Sequence, residues 1–419
     1  SADRRIQALV IAWGFGSFME SVAGFGTAVA VPAALLIALG FDPFRAAVVC
    51  LIANTVAVAF GVVGIPVTTL EKITELPIGA LSWDIGLQLT PFVFLVPIFV
   101  VYSTTGSLAG LRGVWLITLL AGASFGIVQF AVAQYVGPEL PAIVASLAST
   151  AVILLAAKVA PSKQIWRFPD EPENADQSPQ GEYSPSLING RTQLVAWLPY
   201  ILLLCLVLAT SRLFPAIHEQ LRSFRTVWLV FSGAGGKPLV FEWLLTPGTM
   251  VFASAVIAGL VQGASLRSLL KLFGLTLRQL QKTIITVMSI VSMAKVLGYS
   301  GMVASVAITL AETTGGLYPA FAPLIGALGT FITGSDTSSN ILFGLLQKQT
   351  ALQLGLSPVW IAAANTSGAC IGKLISPQSI SIAATAVGLS GKEGDLLSVT
   401  FRYACFFLLG LGAITLLLA

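Results

Sequence analysis

Apolar runs of bilayer-spanning length recur from one end of this chain to the other. They lie near residues 45–69, 87–103, 113–135, 141–157, 194–210, 247–264, 283–311, 358–388 and 398–418. About 20 apolar residues carry a helix across a hydrocarbon core ~30 Å thick. Inside that core each backbone N–H and C=O must be satisfied within its own segment, which makes helices the natural form for runs of this length. Charged residues are only 10% of the 419, against about 25% in soluble domains. A disordered chain, a nucleic-acid binder and most water-soluble enzymes are excluded on that ratio. The expectation is an all-α polytopic membrane protein.

Two regions depart from the plain spanning pattern. Residues 6–19 and 27–40 are short apolar arms around Glu20-Ser-Val-Ala-Gly-Phe-Gly-Thr27. Residues 317–333 and 340–355 are similar arms around Gly334-Ser-Asp-Thr-Ser-Ser-Asn340. An arm of about 14 residues rises only ~20 Å, so each pair reads as a re-entrant hairpin (6–40 and 317–355) that enters and returns on one side. Irregular backbone at such depth requires a protein-lined or wet cavity. Residues 158–193 hold five prolines and five acids and read as a cytoplasmic linker between halves 1–157 and 194–419.

The halves share an ordered pattern. Leu39-Gly-Phe-Asp-Pro43 matches Leu354-Gly-Leu-Ser-Pro358, and Asn54-Thr55-x5-Gly61-x4-Pro66 matches Asn365-Thr366-x5-Gly372-x4-Pro377. Glu20 and Asp336 precede the shared Leu-Gly by similar distances. Each copy thus combines an acidic hairpin with an interrupted helix, over 45–69 and 358–388. Thirteen loop bases fall on one side, among them Arg45, Arg112, Arg267, Lys271 and Lys392, against five on the other. The basic excess marks the cytoplasmic face and gives the hairpins opposite orientations. This is the inverted-repeat plan of secondary transporters, in which interrupted helices bind substrate near the midplane.

The polar residues at these breaks suit a small anion. Asn and Thr are weak helix formers, and they donate hydrogen bonds to carboxylate and hydroxyl oxygens. Helix ends freed by a break add N–H donors and a favourable dipole. Charges within apolar segments are costly and read first as functional or paired. Lys295 and Lys373 are therefore candidate counter-charges. Glu20 and Asp336 are candidate proton carriers, with Asp336 preferred because Thr337, Ser338 and Ser339 adjoin it. A structural pair such as Asp336 with Lys373 is the alternative.

Enzyme and metal chemistry find little support. Cys50, Cys205, Cys370 and Cys405 are widely spaced within apolar runs and read as buried free thiols. The lone His218 reads as external and solvated. Gly233-Ala-Gly-Gly-Lys237-Pro238 lacks the first glycine and the Ser/Thr of a phosphate loop. No cofactor or metal is expected.

Eight motifs resemble the bacterial L-lactate permease family: Val22-Ala-Gly-Phe-Gly-Thr27, Leu51-Ile-Ala-Asn-Thr55, Phe60-Gly-Val-Val-Gly-Ile-Pro66, Gly137-Pro-Glu-Leu-Pro141, Tyr299-Ser-Gly-Met302, Thr333-Gly-Ser-Asp-Thr-Ser-Ser-Asn340, Ala364-Asn-Thr366 and Gly372-Lys-Leu-Ile-Ser-Pro-Gln-Ser379. The resemblance runs from about residue 8 to 418. It implies import of L-lactate, and of D-lactate or glycolate, by proton symport across the bacterial inner membrane. A more distant likeness to the dicarboxylate ion-transporter superfamily implies binding by Thr27, Asn54, Thr55, Ser338, Ser339, Asn365 and Thr366. Sodium coupling is the alternative within the same class, and a membrane-embedded enzyme is the alternative outside it. Family members are longer, and three helices precede the second hairpin but almost nothing precedes the first. The first copy is therefore expected to lack upstream helices.

Overall fold

A computed structural model of the protein describes residues 3–24, 26–160, 165–168, 190–210, 214–229, 232 and 238–419. Most of the expected linker and the Gly233–Lys237 loop lie outside the described residues. Contacts divide the chain into two compact units, Ser1–Arg167 with Met293–Ala419, and Phe168–Ser292. Both hairpins and both interrupted helices belong to the first unit, so the compact units do not follow the boundaries of the two copies.

The first hairpin begins at Asp3, whose carboxylate caps α1 (Arg4–Ala8) by accepting from the Arg5 N–H. A π-helical stretch, Leu9–Phe15, leads into α2 (Gly16–Val22), and α3 (Thr27–Ala38) forms the return arm. The first arm is longer than expected because helix starts at this cap rather than at residue 6. Gly24 and Gly26 reverse the chain at φ +57° and +89°, a conformation glycine adopts without steric cost. Asp42, with Pro43 at the first helical position, opens α4 (Pro43–Ala53). The chain then breaks, passes a 3₁₀ turn at Val58–Phe60 and resumes as α5 (Gly61–Thr74), bent by 67° from α4. Helices α6 (Ile78–Thr105), α7 (Trp115–Tyr135) and α8 (Pro141–Val159) follow, each of spanning length.

The second unit holds α9 (Gly190–Thr210), α10 (Pro215–Arg222), a two-stranded antiparallel ribbon of β1 (Arg225–Trp228) and β2 (Leu239–Glu242), and α11 (Pro247–Val261). Helix α12 (Leu266–Tyr299) runs on to the first unit. The single span expected at 283–311 is in fact divided between α12 and α13 (Met302–Thr314), because Gly301 turns left-handed at φ +77°.

A 3₁₀ turn joins α13 to α14 (Tyr318–Thr333), and Gly334 and Ser335 lead into α15 (Asp336–Leu354). The expected polar tip is shorter than the motif suggests. The Ser335 side chain caps α15, so Asp336 through Asn340 form its first turns. Ser357-Pro358 repeats the Asp42-Pro43 start and opens α16 (Pro358–Gly372). A 3₁₀ turn at Lys373–Ile375 separates it from α17 (Pro377–Ala386), and α18 (Glu393–Leu417) closes the chain. Asn365 and Thr366 therefore sit inside a continuous helix, whereas Asn54 ends α4. The breaks in the two copies fall at different places relative to Asn-Thr.

Small residues let these helices approach closely, as membrane packing requires. A Cβ on Gly326 would strike the Asn365 backbone, and one on Gly368 the Pro323 backbone, which locks α14 to α16. Around the first break, Val67, Leu70, Leu81, Ile85, Leu89, Ala362 and Ala363 bury a common core of α5, α6 and α16. All four cysteines are free, but Cys205 is exposed on α9 rather than buried. His218 is half-buried, with Nδ1 2.8 Å from the Thr210 carbonyl, rather than fully solvated.

Candidate substrate site

Glu20 lies in the last turn of α2, beside the hairpin reversal. Lys373 begins the 3₁₀ turn after α16, and its Nζ donates to Glu20 Oε1 at 2.6 Å. The two side chains are 12% (Lys373) and 3% (Glu20) exposed. Asn54, which caps the end of α4, donates from Nδ2 to Glu20 Oε2 at 3.1 Å. One carboxylate is thus held on both oxygens by the interrupted helices of both copies. The repeat glycine has a physical reason here, since a Cβ on Gly61 would lie 3.2 Å from Glu20 Oε1. At its counterpart Gly372 the constraint is harder, since a Cβ would collide with the Ala327 carbonyl.

Next to the ion pair is a narrow cleft with room for about one water molecule. Asn54, Thr55, Lys373 and Ser379 give it polar walls, and Val29, Leu51 and Leu374 give it apolar ones. Asn54 Oδ1 is buried there with no hydrogen-bond partner among the described residues. Buried polar atoms are rarely left unpaired without a reason. The walls thus offer one cation, an amide, two hydroxyls and an apolar side.

The second copy is built differently. Asn340 Oδ1 accepts from Asn365 Nδ2 at 2.9 Å and from Thr366 Oγ1 at 3.0 Å, while Asn340 Nδ2 donates to the Pro66 carbonyl at 3.2 Å. Gln347 Nε2 donates to Asn365 Oδ1 at 3.1 Å and to the Ala322 carbonyl at 3.0 Å. Tyr318 donates to Gln347 Oε1 at 2.7 Å. The polar atoms of Asn365 and Thr366 are engaged in binding α14, α15 and α16 together and in reaching α5. A fully satisfied buried network of this kind rigidifies its surroundings.

The remaining expected residues divide between these arrangements. Asp336 is buried at the start of α15, and Cys370 Sγ donates to its Oδ2 at 3.6 Å. Its Oδ1 has no partner among the described residues, and both Lys373 and Glu20 act on it electrostatically. The pairing considered for Asp336 and Lys373 is replaced by Glu20 with Lys373. Ser339 turns away from Asp336 and donates to the Gly326 carbonyl at 2.8 Å, and the Ser338 N–H is taken by the Ser335 cap. Thr27 and Thr55 hydroxyls donate to carbonyls three residues back, at Gly24 and Ile52. Lys295 is exposed on α12 and shares no hydrogen bond or ion pair with this cluster among the described residues. Sequence reasoning missed Asn340 and Gln347 as partners of Asn365, although two polar side chains seven residues apart in an apolar arm mark one helix face.

Backbone strain gathers at the same place. Val62, Val63 and Gly64 are consecutive left-handed residues, with φ of 44°, 56° and 72°. A β-branched residue in that region is a genuine outlier, and such strain clusters at functional sites. Gly64 packs onto the Pro138–Glu139 backbone, where a Cβ would collide.

The family model for L-lactate permease matches residues 1–419. The chain belongs to the L-lactate permease family. Similar relatives include an L-lactate permease of Streptococcus iniae, 44% identical over 88% of this chain and 74% of the relative. An L-lactate permease of Bacillus subtilis is 38% identical over 99% and 78%. A glycolate permease of Escherichia coli is 37% identical over 100% and 78%. Among solved structures, the YdaH transporter of Alcanivorax borkumensis covers 99% of this chain and 84% of its own at 15% identity, with a TM-score of 0.44. Membership in this permease family, together with the spanning helices, makes the protein a multi-pass transporter of the bacterial inner membrane rather than an enzyme.

Proposed function

We propose that the chain imports L-lactate and related 2-hydroxymonocarboxylates, including D-lactate and glycolate, by proton symport. The observation that carries this reading is the Glu20–Lys373 ion pair beside a cleft walled by Asn54, Thr55 and Ser379. The substrate class follows from relatives named for L-lactate and glycolate. The incoming carboxylate takes the place of Glu20 on Lys373, Asn54 and the hydroxyls receive the 2-hydroxy acid, and Val29, Leu51 and Leu374 face its carbon chain. Glu20 gives up Lys373 as it takes a proton. The charge in the site is the same before and after, so substrate and proton cross together.

That balance matters energetically. An uncompensated anion moving inward against 100 mV, inside negative, costs about 2.3 kcal/mol. Glu20 replaces Asp336 as the preferred carrier, because Glu20 touches the cleft's cation while the Ser339 hydroxyl beside Asp336 is committed to the Gly326 carbonyl. Asp336 acts as a second acid that tunes the pair. The Asn365–Thr366 network holds the hairpin against the interrupted helix, and the two copies form an inverted pair around the site.

The test is uptake of labelled L-lactate into proteoliposomes, with pH and sodium gradients imposed separately. Accumulation driven by the pH gradient alone supports the proposal. Accumulation driven only by sodium would replace the proton with a metal cation, and failure to take up lactate under either gradient would overturn the substrate assignment.

A further inference from the structure

Helix α12 is an unusual element for a membrane carrier. At 34 residues it would extend about 50 Å, well beyond the ~30 Å hydrocarbon core. Its sequence carries Arg267, Lys271, Arg278, Lys282 and Lys295, and no acid occurs between Glu242 and Glu312. At 3.6 residues per turn, Arg267, Lys271 and Arg278 fall within an arc of about 40°. Leu266, Leu270, Phe273 and Leu277 fall in a second arc of about 60°, roughly a third of a turn away.

Among the described residues neither arc is covered. Leu266 is 60% and Leu270 62% exposed, and the three bases are exposed as well. Contacts with α11, through Gly259 against Leu269 and Phe252 against Phe273, touch only one edge of the apolar arc. A helix with apolar residues on one arc and bases flanking it satisfies both only at an interface. There its apolar side chains reach acyl chains, and its long basic stems snorkel back to headgroups. The leaflet surface carries anionic phosphodiesters, opposite in sign to a helix that has no acid of its own.

We propose that Leu266–Arg278 lies in the membrane interface and holds the headgroups of anionic lipid through Arg267, Lys271 and Arg278. This surface shares no residue with the substrate cleft. Its ligand is a phospholipid with a net negative headgroup, and its recognition is electrostatic.

The full chain, reconstituted with its four native cysteines replaced, tests this. A fluorophore is placed at Leu270→Cys in the apolar arc or at Gly274→Cys, which lies beside the bases and where a Cβ meets nothing within 4 Å. Brominated phosphatidylglycerol and brominated phosphatidylcholine are compared as quenchers at equal mole fraction, with iodide as the aqueous quencher. The Leu270 label should be quenched by bromolipid and shielded from iodide, and the Gly274 label should be more open to iodide. Phosphatidylglycerol should quench at least twofold more strongly. That preference should vanish in the Arg267→Gln, Lys271→Gln, Arg278→Gln variant and in 1 M salt, where screening acts within about 3 Å. Equal quenching by both lipids would overturn headgroup recognition. Iodide access to both labels would place the helix in water, and shielding of both labels from every quencher would place it against protein, and either result overturns the proposal.

Discussion

Replacing Glu20 by glutamine removes one charge of the buried pair while keeping an oxygen for Asn54 Nδ2 to donate to. The partner left behind, Lys373, is only 12% exposed. Breaking a buried ion pair on one side costs about 3–5 kcal/mol, because the remaining charge is uncompensated. The lower end applies here, since Lys373 retains some contact with the cleft. Under the proposed mechanism a lactate carboxylate displaces Glu20 before it can use Lys373, whereas in Glu20→Gln nothing stands in the way. About 3 kcal/mol corresponds to roughly a hundredfold in affinity. Lactate should therefore bind Glu20→Gln up to about a hundredfold more tightly than wild type in alkaline buffer. The sign of the pH effect follows from proton counting. Under the proposed exchange the lactate-bound wild type holds one more proton than the free form, so its affinity should rise as pH falls. The variant has no such proton and should bind lactate independently of pH. The assay is radiolabelled lactate binding to purified protein across a pH series, with lactate-dependent thermal unfolding as the control for folding. Wild-type affinity and wild-type pH dependence in Glu20→Gln would refute displacement of Glu20. If Asp336→Asn alone abolished the pH dependence, the proton would belong to Asp336.

Three further outcomes follow from the same geometry. Asn54→Ala should weaken lactate binding at least tenfold and also cost about 1–3 kcal/mol of stability, since it deprives buried Glu20 of a donor. Asn365→Ala should cost a similar amount in thermal unfolding through Asn340 and Gln347, which lose a buried partner away from the cleft. Gly64→Ala should lower the unfolding temperature in detergent by more than the ~1–2 kcal/mol of a left-handed alanine accounts for, because its methyl meets the Pro138 backbone. In a background lacking the native cysteines, Ser223→Cys should react with an impermeant thiol reagent added to intact cells and Ser268→Cys should not. The reverse pattern would invert the orientation inferred from the basic loops.

Much of the architecture is legible locally. Spanning helices α6, α7, α8 and α18 follow from unbroken apolar runs, because a helix satisfies its backbone within itself wherever it lies in lipid. The starts at Asp42-Pro43 and Ser357-Pro358 follow from a capping oxygen next to a residue with no N–H to lose. Gly24, Gly26 and Gly334 announce the two hairpin reversals, since each takes a positive φ. Even the charges within the apolar segments are visible as candidates, because an unpaired charge in lipid is costly wherever it falls along the chain. What no local rule supplied was who pairs with whom. Glu20 and Lys373 stand 353 residues apart, and only the packing of α2 against the ends of α4 and α16 brings them together in place of Asp336 and Lys373. The matched Asn-Thr pairs look equivalent along the chain, yet α16 runs straight through its pair while α4 stops at its own. One asparagine is thereby sealed into a hydrogen-bonded network and the other, beside a cleft, keeps a buried oxygen with no partner among the described residues. That difference is a property of neighbouring helices, decided by side chains that meet in space and not by the spacing the two copies share.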